Sequence, residues 1–212
     1  MILTDVTQGH EGNDERLAFL FDTRRVKPSG LACELVLPQP PAGDGGPAAA
    51  VEQFARTPYA VSFQSGGETF VLVTLHVKWG QRPSDRVSEL TAIAHWLADW
   101  ARQERQWGHN LLALGDFNID RRGDALFEAF TATGLSPPER LNDIPRTIFD
   151  QDAGHFYDQI AWFTHGRAAL NLDFVNAGTF DFTNNLIPAT TTNQLSWRVS
   201  DHYPLWSEFE VR

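Results

Sequence analysis

LLALGDFNID, residues 111–120, is the stretch on which the fold turns. Leu111 to Leu114 form an apolar run too short for a helix, which reads as a strand covered on both faces. Gly115 ends it at once. Asp116 and Asn118 follow with Phe117 between them, so a period of two puts the carboxylate and the amide on one side and the ring on the other. A carboxylate beside an amide can orient a water or a metal ion and donate a hydrogen bond to a phosphoryl oxygen. An Asx turn closing a strand uses the same residues.

Upstream lies the clearest helix of the chain. Ser84 is expected to cap it, Val87, Leu90, Ile93, Ala94, Leu97 and Ala101 share one face, and Gly108 supplies the stop. Trp96, Trp100 and Trp107 on or near this helix are expected to pack against a sheet rather than stack on bases. Before the helix, Tyr59–Gln64 and Thr69–Val77 flank Ser-Gly-Gly and read as a hairpin. Ile2–Thr7, Leu17–Phe21 and Cys33–Leu37 read as shorter strands, and the proline- and glycine-rich PQPPAGDGGPAAA (38–50) as a loop within one domain, 1–212. Downstream, a second helix is expected from Asp124 to Thr133, followed by strands at Tyr157–Phe163, Leu170–Val175 and Tyr203–Val211. The last alternates Leu205, Ser207, Phe209 and Val211 on one side, as a half-buried strand does. Many strands, few helices and no repeat argue for an α+β sandwich.

The chain has 212 residues, 42% hydrophobic and 21% charged, which suits one globular domain and excludes disordered, collagenous and coiled-coil classes. Its formal charge of −10 disfavours non-specific binding to DNA or anionic lipid, although a local cation can still accept a phosphate-bearing substrate. Cys33 is alone, so neither an internal disulfide nor a cysteine zinc site can form. The chain has no apolar run of roughly 18 residues, and residues 1–10 lack a signal-peptide pattern; a cytoplasmic location is the expectation.

Polar residues gather at the ends of five segments: FART (54–57), TLHVKWG (74–80), LGDFNID (114–120), YDQIAW (157–162) and SDHYPLW (200–206). His202 can take a proton from water if an acid fixes its tautomer, and Asp158, heading an apolar strand, is the candidate acid. His76 ends a β-rich run. Arg56 can clamp a phosphate or make a surface ion pair. No role is assigned to His10, His95, His109, His155 or His165.

In order and spacing these segments, with ERLAFLFDTRRV (15–26), resemble the endonuclease/exonuclease/phosphatase superfamily, and most of all its deoxyribonuclease I branch. The resemblance implies a four-layer sandwich of two mainly antiparallel sheets flanked by helices. It also implies hydrolysis of a phosphoester, above all a phosphodiester such as that of a nucleic acid, with Mg2+ or Mn2+. It gives His202 the part of general base and Asp158 that of its partner. His76 becomes a phosphate contact or general acid, Asp116 and Asn118 orient the nucleophile, Arg56 binds phosphate, and Asp201 stands on the metal side.

In the superfamily an asparagine strand and a strand ending in the principal metal-binding glutamate come first. Met1 aligns just upstream of residues 15–26, so this chain is expected to be N-terminally incomplete and to lack that glutamate. Glu11, Asp14 and Glu15 are poor substitutes, since a polar stretch does not fix an oxygen. An uncovered sheet edge would then favour self-association. Two other functions use the same residues: a non-catalytic binder of phosphorylated ligands, and a phosphomonoesterase acting on a lipid or inositol head group.

Overall fold

The computed structural model describes residues 1–5, 15–38, 53–103, 110–150, 154–184 and 190–211. The short strands β1 (Ile2–Leu3) and β2 (Ala18–Phe19) pair with each other. Next come β3 (Lys27–Glu34), β4 (Tyr59–Ser65) and β5 (Glu68–His76), then α1 (Ser84–Arg102), β6 (Leu111–Asp116), α2 (Ala125–Thr131), β7 (Leu135–Ser136) and β8 (Asp158–Phe163). The chain closes with β9 (Asp173–Thr179), α3 (Thr192–Arg198) and β10 (Leu205–Glu210). The main sheet runs β3-β4-β5-β6-β8-β7, and its only parallel pair is β5 with β6. A parallel neighbour needs a crossover, and α1 provides it.

Alternation along the strands decides the layers. Val71, Val73 and Leu75 of β5 and Leu111 and Ala113 of β6 face Leu90, Ile93 and Leu97 of α1 and Leu126 and Phe130 of α2. The intervening Phe70, Leu72 and Leu112 face the opposite way, onto Trp162, Phe174 and Phe209 and so onto the second sheet, β9 paired with β10. The class is α+β, a sandwich of two sheets with helices outside. None of the described helices is long and apolar enough to cross a membrane. Among the described residues the second sheet has two strands, each paired on one side.

Several expectations shift in detail. The strand expected at Cys33–Leu37 begins instead at Lys27 and ends at Glu34. It is an edge strand whose register shifts between Pro28 and Ala32, and only an edge accommodates Pro28 and Gly30. The strand expected at Leu17–Phe21 is confined to Ala18–Phe19. Ser84 does not cap α1. Pro83 holds that place without a side-chain bond, and Asp85 instead accepts the Gln81 and Arg82 amides at 3.0 Å. Gly108, Trp107 and most of the loop 38–50 lie outside the described residues. Trp96 and Trp100 pack against the core, as expected. Helix α3 was not expected, although Thr191 and Gln194 form a capping box whose Thr-x-x-Gln pattern is legible in the sequence.

Candidate active site

Strand register assembles the centre of the site. β5 and β6 run parallel with His76 opposite Asp116, and β6 and β8 run antiparallel with Asp116 opposite Asp158. Three consecutive ladder partners, far apart in sequence, therefore stand side by side at one end of the sheet. His202 is brought in by a separate bridge to Thr147. The Asp201 carbonyl accepts from the Ile148 amide and the Thr147 hydroxyl, each at 2.9 Å, and the Tyr203 amide donates to the Arg146 carbonyl at 2.8 Å.

His202 Nδ1 lies 2.7 Å from Asp158 Oδ2 and 4.0 Å from Asp116 Oδ2. Burial alone would push the His202 imidazolium down, but Asp158, followed by Asp116 and Asp201, overrides it and pushes the pKa up to about 9. Burial and then the charge of Asp158 push Asp116 above the usual carboxylate range, against the pull of His76, His202 and the Asn118 amide. On the other side, His76 Nε2 is 3.5 Å from Asp116 Oδ2 while its Nδ1 meets Glu15 Oε2 at 2.6 Å. The same Glu15 oxygen meets Arg56 Nε at 2.9 Å, so Arg56, expected as a phosphate clamp or a surface ion pair, is a buried partner of Glu15. Glu15 was passed over as a stand-in metal ligand. It is fixed in place, and its partners are a histidine and an arginine.

Asn118 departs from simple alternation because β6 ends at Asp116 and Asn118 lies beyond it with φ 51°. The turn is closed by the Asn118 amide donating to Asp116 Oδ1 at 2.8 Å, and the Asn118 side-chain amide donates to the Val77 carbonyl at 2.7 Å. The Asx turn and the site are thus the same structure. Phe117 faces the core and packs on Phe130, as expected. The Asp201 side chain is exposed at the rim, and its charge is felt by His202.

Four supporting residues escaped the sequence reading. Arg146, fully buried, donates from Nε to the Asp158 carbonyl at 3.1 Å and from Nη1 to the Ile144 carbonyl, with its guanidinium over the Phe156 ring. Burial pushes its pKa down to about 10, with Asp158 pulling the other way. Arg146→Met keeps the apolar bulk but removes charge-assisted hydrogen bonds worth about 1.5–3 kcal/mol each. The variant is expected to lose on the order of 3 kcal/mol of stability, read as a lower urea midpoint at unchanged slope.

Glu89 of α1, also buried, accepts the Ala55 and Lys78 amides, each at 3.3 Å, and so ties the FART and TLHVKWG loops to one helix. Its carboxyl is raised by burial, partly offset by those two amides. Tyr157 stacks on His202 with ring centroids 5.7 Å apart. His155, to which no role was assigned, stacks on Tyr157 at 4.8 Å. Apart from the neighbours His155–Tyr157 and Arg146–Ile144, these contacts join residues from different segments and leave no local motif.

The fold is that of solved endonuclease/exonuclease/phosphatase family proteins. An endonuclease/exonuclease/phosphatase family protein from Bacteroides thetaiotaomicron superposes with a TM-score of 0.57 at 16% identity, covering 98% of this chain and 72% of that one. A mannosyl-6-phosphatase from Bacteroides thetaiotaomicron VPI-5482 does so with a TM-score of 0.58 at 16% identity, over 99% of this chain and 77% of its own. Likeness at that level concerns the fold. In sequence, a deoxyribonuclease of Thioalkalivibrio sp. (strain K90mix) is 27% identical over 168 residues, 75% of this chain and 44% of that protein. The chain thus spans under half the length of that curated relative. No protein-family model matches the chain.

Proposed function

We propose that the chain is a phosphoesterase that hydrolyses a phosphodiester, with DNA the substrate suggested by the deoxyribonuclease relative. The observation that carries this reading is the His202–Asp158 contact at 2.7 Å beside Asp116, facing the His76–Glu15 contact at 2.6 Å across the same end of the sheet. In its neutral form His202 takes a proton from the attacking water, and Asp158 holds the ring and stabilises the imidazolium that forms. His76, held by Glu15 on its other nitrogen, contacts the phosphate or gives a proton to the leaving oxygen. Asn118 and Asp116 position the water and the phosphoryl oxygens.

The resemblance brings a requirement for Mg2+, or Mn2+ in its place. The two buried carboxylates Asp116 and Asp158 carry like charge that a cation would offset. Among the described residues, however, no group of three or more His, Cys, Asp or Glu side chains could hold a metal ion. The described residues therefore supply at most part of a ligand set, and no step above passes through a metal. Hydrolysis of bis(p-nitrophenyl) phosphate with added Mg2+, repeated in excess EDTA, tests both parts. Turnover abolished by the chelator is expected. Turnover that persists in it removes the metal from the proposal, and no turnover with Mg2+ or Mn2+ favours the non-catalytic binder.

A further inference from the structure

We propose that Trp79 is a stacking platform for an unpaired nucleobase flanking the scissile phosphate, which makes single-stranded nucleic acid the preferred substrate class. The inference rests on the phosphodiesterase reading above and adds a specificity determinant to it. Trp79 is 55% exposed. It is nevertheless held. The Arg86 guanidinium lies 4.6 Å from its ring centroid, and Tyr157 meets it edge-on at 5.7 Å. Arg86 is itself buried and fixed by Asp120 Oδ1 at 3.0 Å and by the Asn118 carbonyl.

The backbone that presents the indole is equally constrained. The Val77 amide donates to the Asp116 carbonyl at 2.9 Å, and the Lys78 amide donates to Glu89. Gly80 then turns at φ 68°, where a Cβ would stand 2.9 Å from Asp85 Cβ. An exposed aromatic ring on so rigid a loop is ordered before any ligand arrives, which lowers the entropy lost on stacking.

Position and charge identify the ligand. Trp79 is linked to the reacting end of the site by two ring contacts of 5.7 Å each, to Tyr157 and from Tyr157 to His202. That reach suits the group next to the reacting phosphate. Arg86 lies over one face of the indole, and the 55% of Trp79 that stays exposed is the surface offered to a flat ring. With a formal charge of −10 the chain gains little from long-range attraction to a polyanion, so a contact independent of charge adds affinity that the overall field does not. Base-on-aromatic stacking is such a contact. It tolerates any base and requires that the base be outside a duplex stack.

The test compares kcat/KM for oligothymidylate and for an oligomer of equal length built from tetrahydrofuran abasic residues, which keeps the phosphates and removes the bases. Wild type is expected to prefer oligothymidylate. Trp79→Ala should reduce that preference roughly 5- to 150-fold, the range for losing one stacked base, and Trp79→Phe should retain most of it. Equal rates on both oligomers in wild type, or an equal loss on both in Trp79→Ala, overturns the platform and leaves the phosphodiesterase reading standing. Turnover of bis(p-nitrophenyl) phosphate without either oligomer does the same. If wild type turns over no phosphodiester, the functional reading fails, and the platform is judged by fluorescence anisotropy of labelled oligomers. Tighter binding of oligothymidylate than of the abasic oligomer, lost in Trp79→Ala, supports it, and its absence overturns it.

Discussion

His202→Ala is expected to lower kcat on bis(p-nitrophenyl) phosphate by about 10²- to 10⁴-fold, the range for losing a general base. The fold should survive, because the His202 side chain is 25% exposed and the bridge to Thr147 runs through the backbone. Asp158→Asn should cost a comparable factor by removing the group that fixes the imidazole. The double variant should be little worse than either single one, since residues acting as a unit are not additive. Multiplicative losses would mean that the two act separately.

The wild-type pH profile carries the same information. Base catalysis needs the neutral imidazole, and the carboxylates around His202 hold its pKa at about 9. Measured with Mg2+ supplied, kcat/KM should therefore climb with pH above neutrality until His202 is deprotonated, a rise that the cation shortens by drawing that pKa back down. The residual activity of His202→Ala should lack that climb. A wild-type profile flat over this range argues against His202 as the base.

Gly115→Ala is expected to be severely damaging. Gly115 sits at φ 136°, and a Cβ there would lie 2.0 Å from the Leu75 carbonyl oxygen. The obstructing atom is backbone and Leu75 is the ladder partner of Gly115, so relief requires β5 and β6 to move apart. Those strands carry His76 and Asp116 on the next rung. A loss of about 4 kcal/mol or more is expected, the exceptional range reserved for such mechanisms, with activity lost alongside it. Soluble yield and the urea midpoint read the effect, and a variant with the wild-type midpoint would show that the strands accommodate the methyl group.

What the sequence disclosed divides along a physical line. Asp116, His76, Asp158 and His202 sit in short strings at the ends of apolar runs, and an apolar run followed at once by charge is visible without knowing its neighbours. The second helix expected from Asp124 and the alternation of β10 are legible for the same reason, because burial repeats within a few residues. Glu15 belongs to the opposite case. Its part is defined by His76 and Arg56, both distant in sequence, and its own surroundings are merely polar. Arg146, Glu89, Tyr157 and Trp79 are alike in this respect. Each derives its meaning from partners on other elements, and tertiary pairing has no period to detect. The start of β3 was hidden differently, since proline and glycine argue against a strand unless it is known to lie at an edge.

Glu89 has a consequence for how the protein breathes. One carboxylate on α1 holds the loop before β4 and the loop after β5 through a single amide each. Neither loop can swing away without taking a hydrogen bond from that buried acid, and lifting α1 from the sheet breaks both. Arg56 and Trp79, one set deep and one at the surface, are therefore coupled in the same fluctuation. Any local opening that moves either loop must therefore break a hydrogen bond to α1, so the docking of that helix adds to the cost of exposing this end of the sheet.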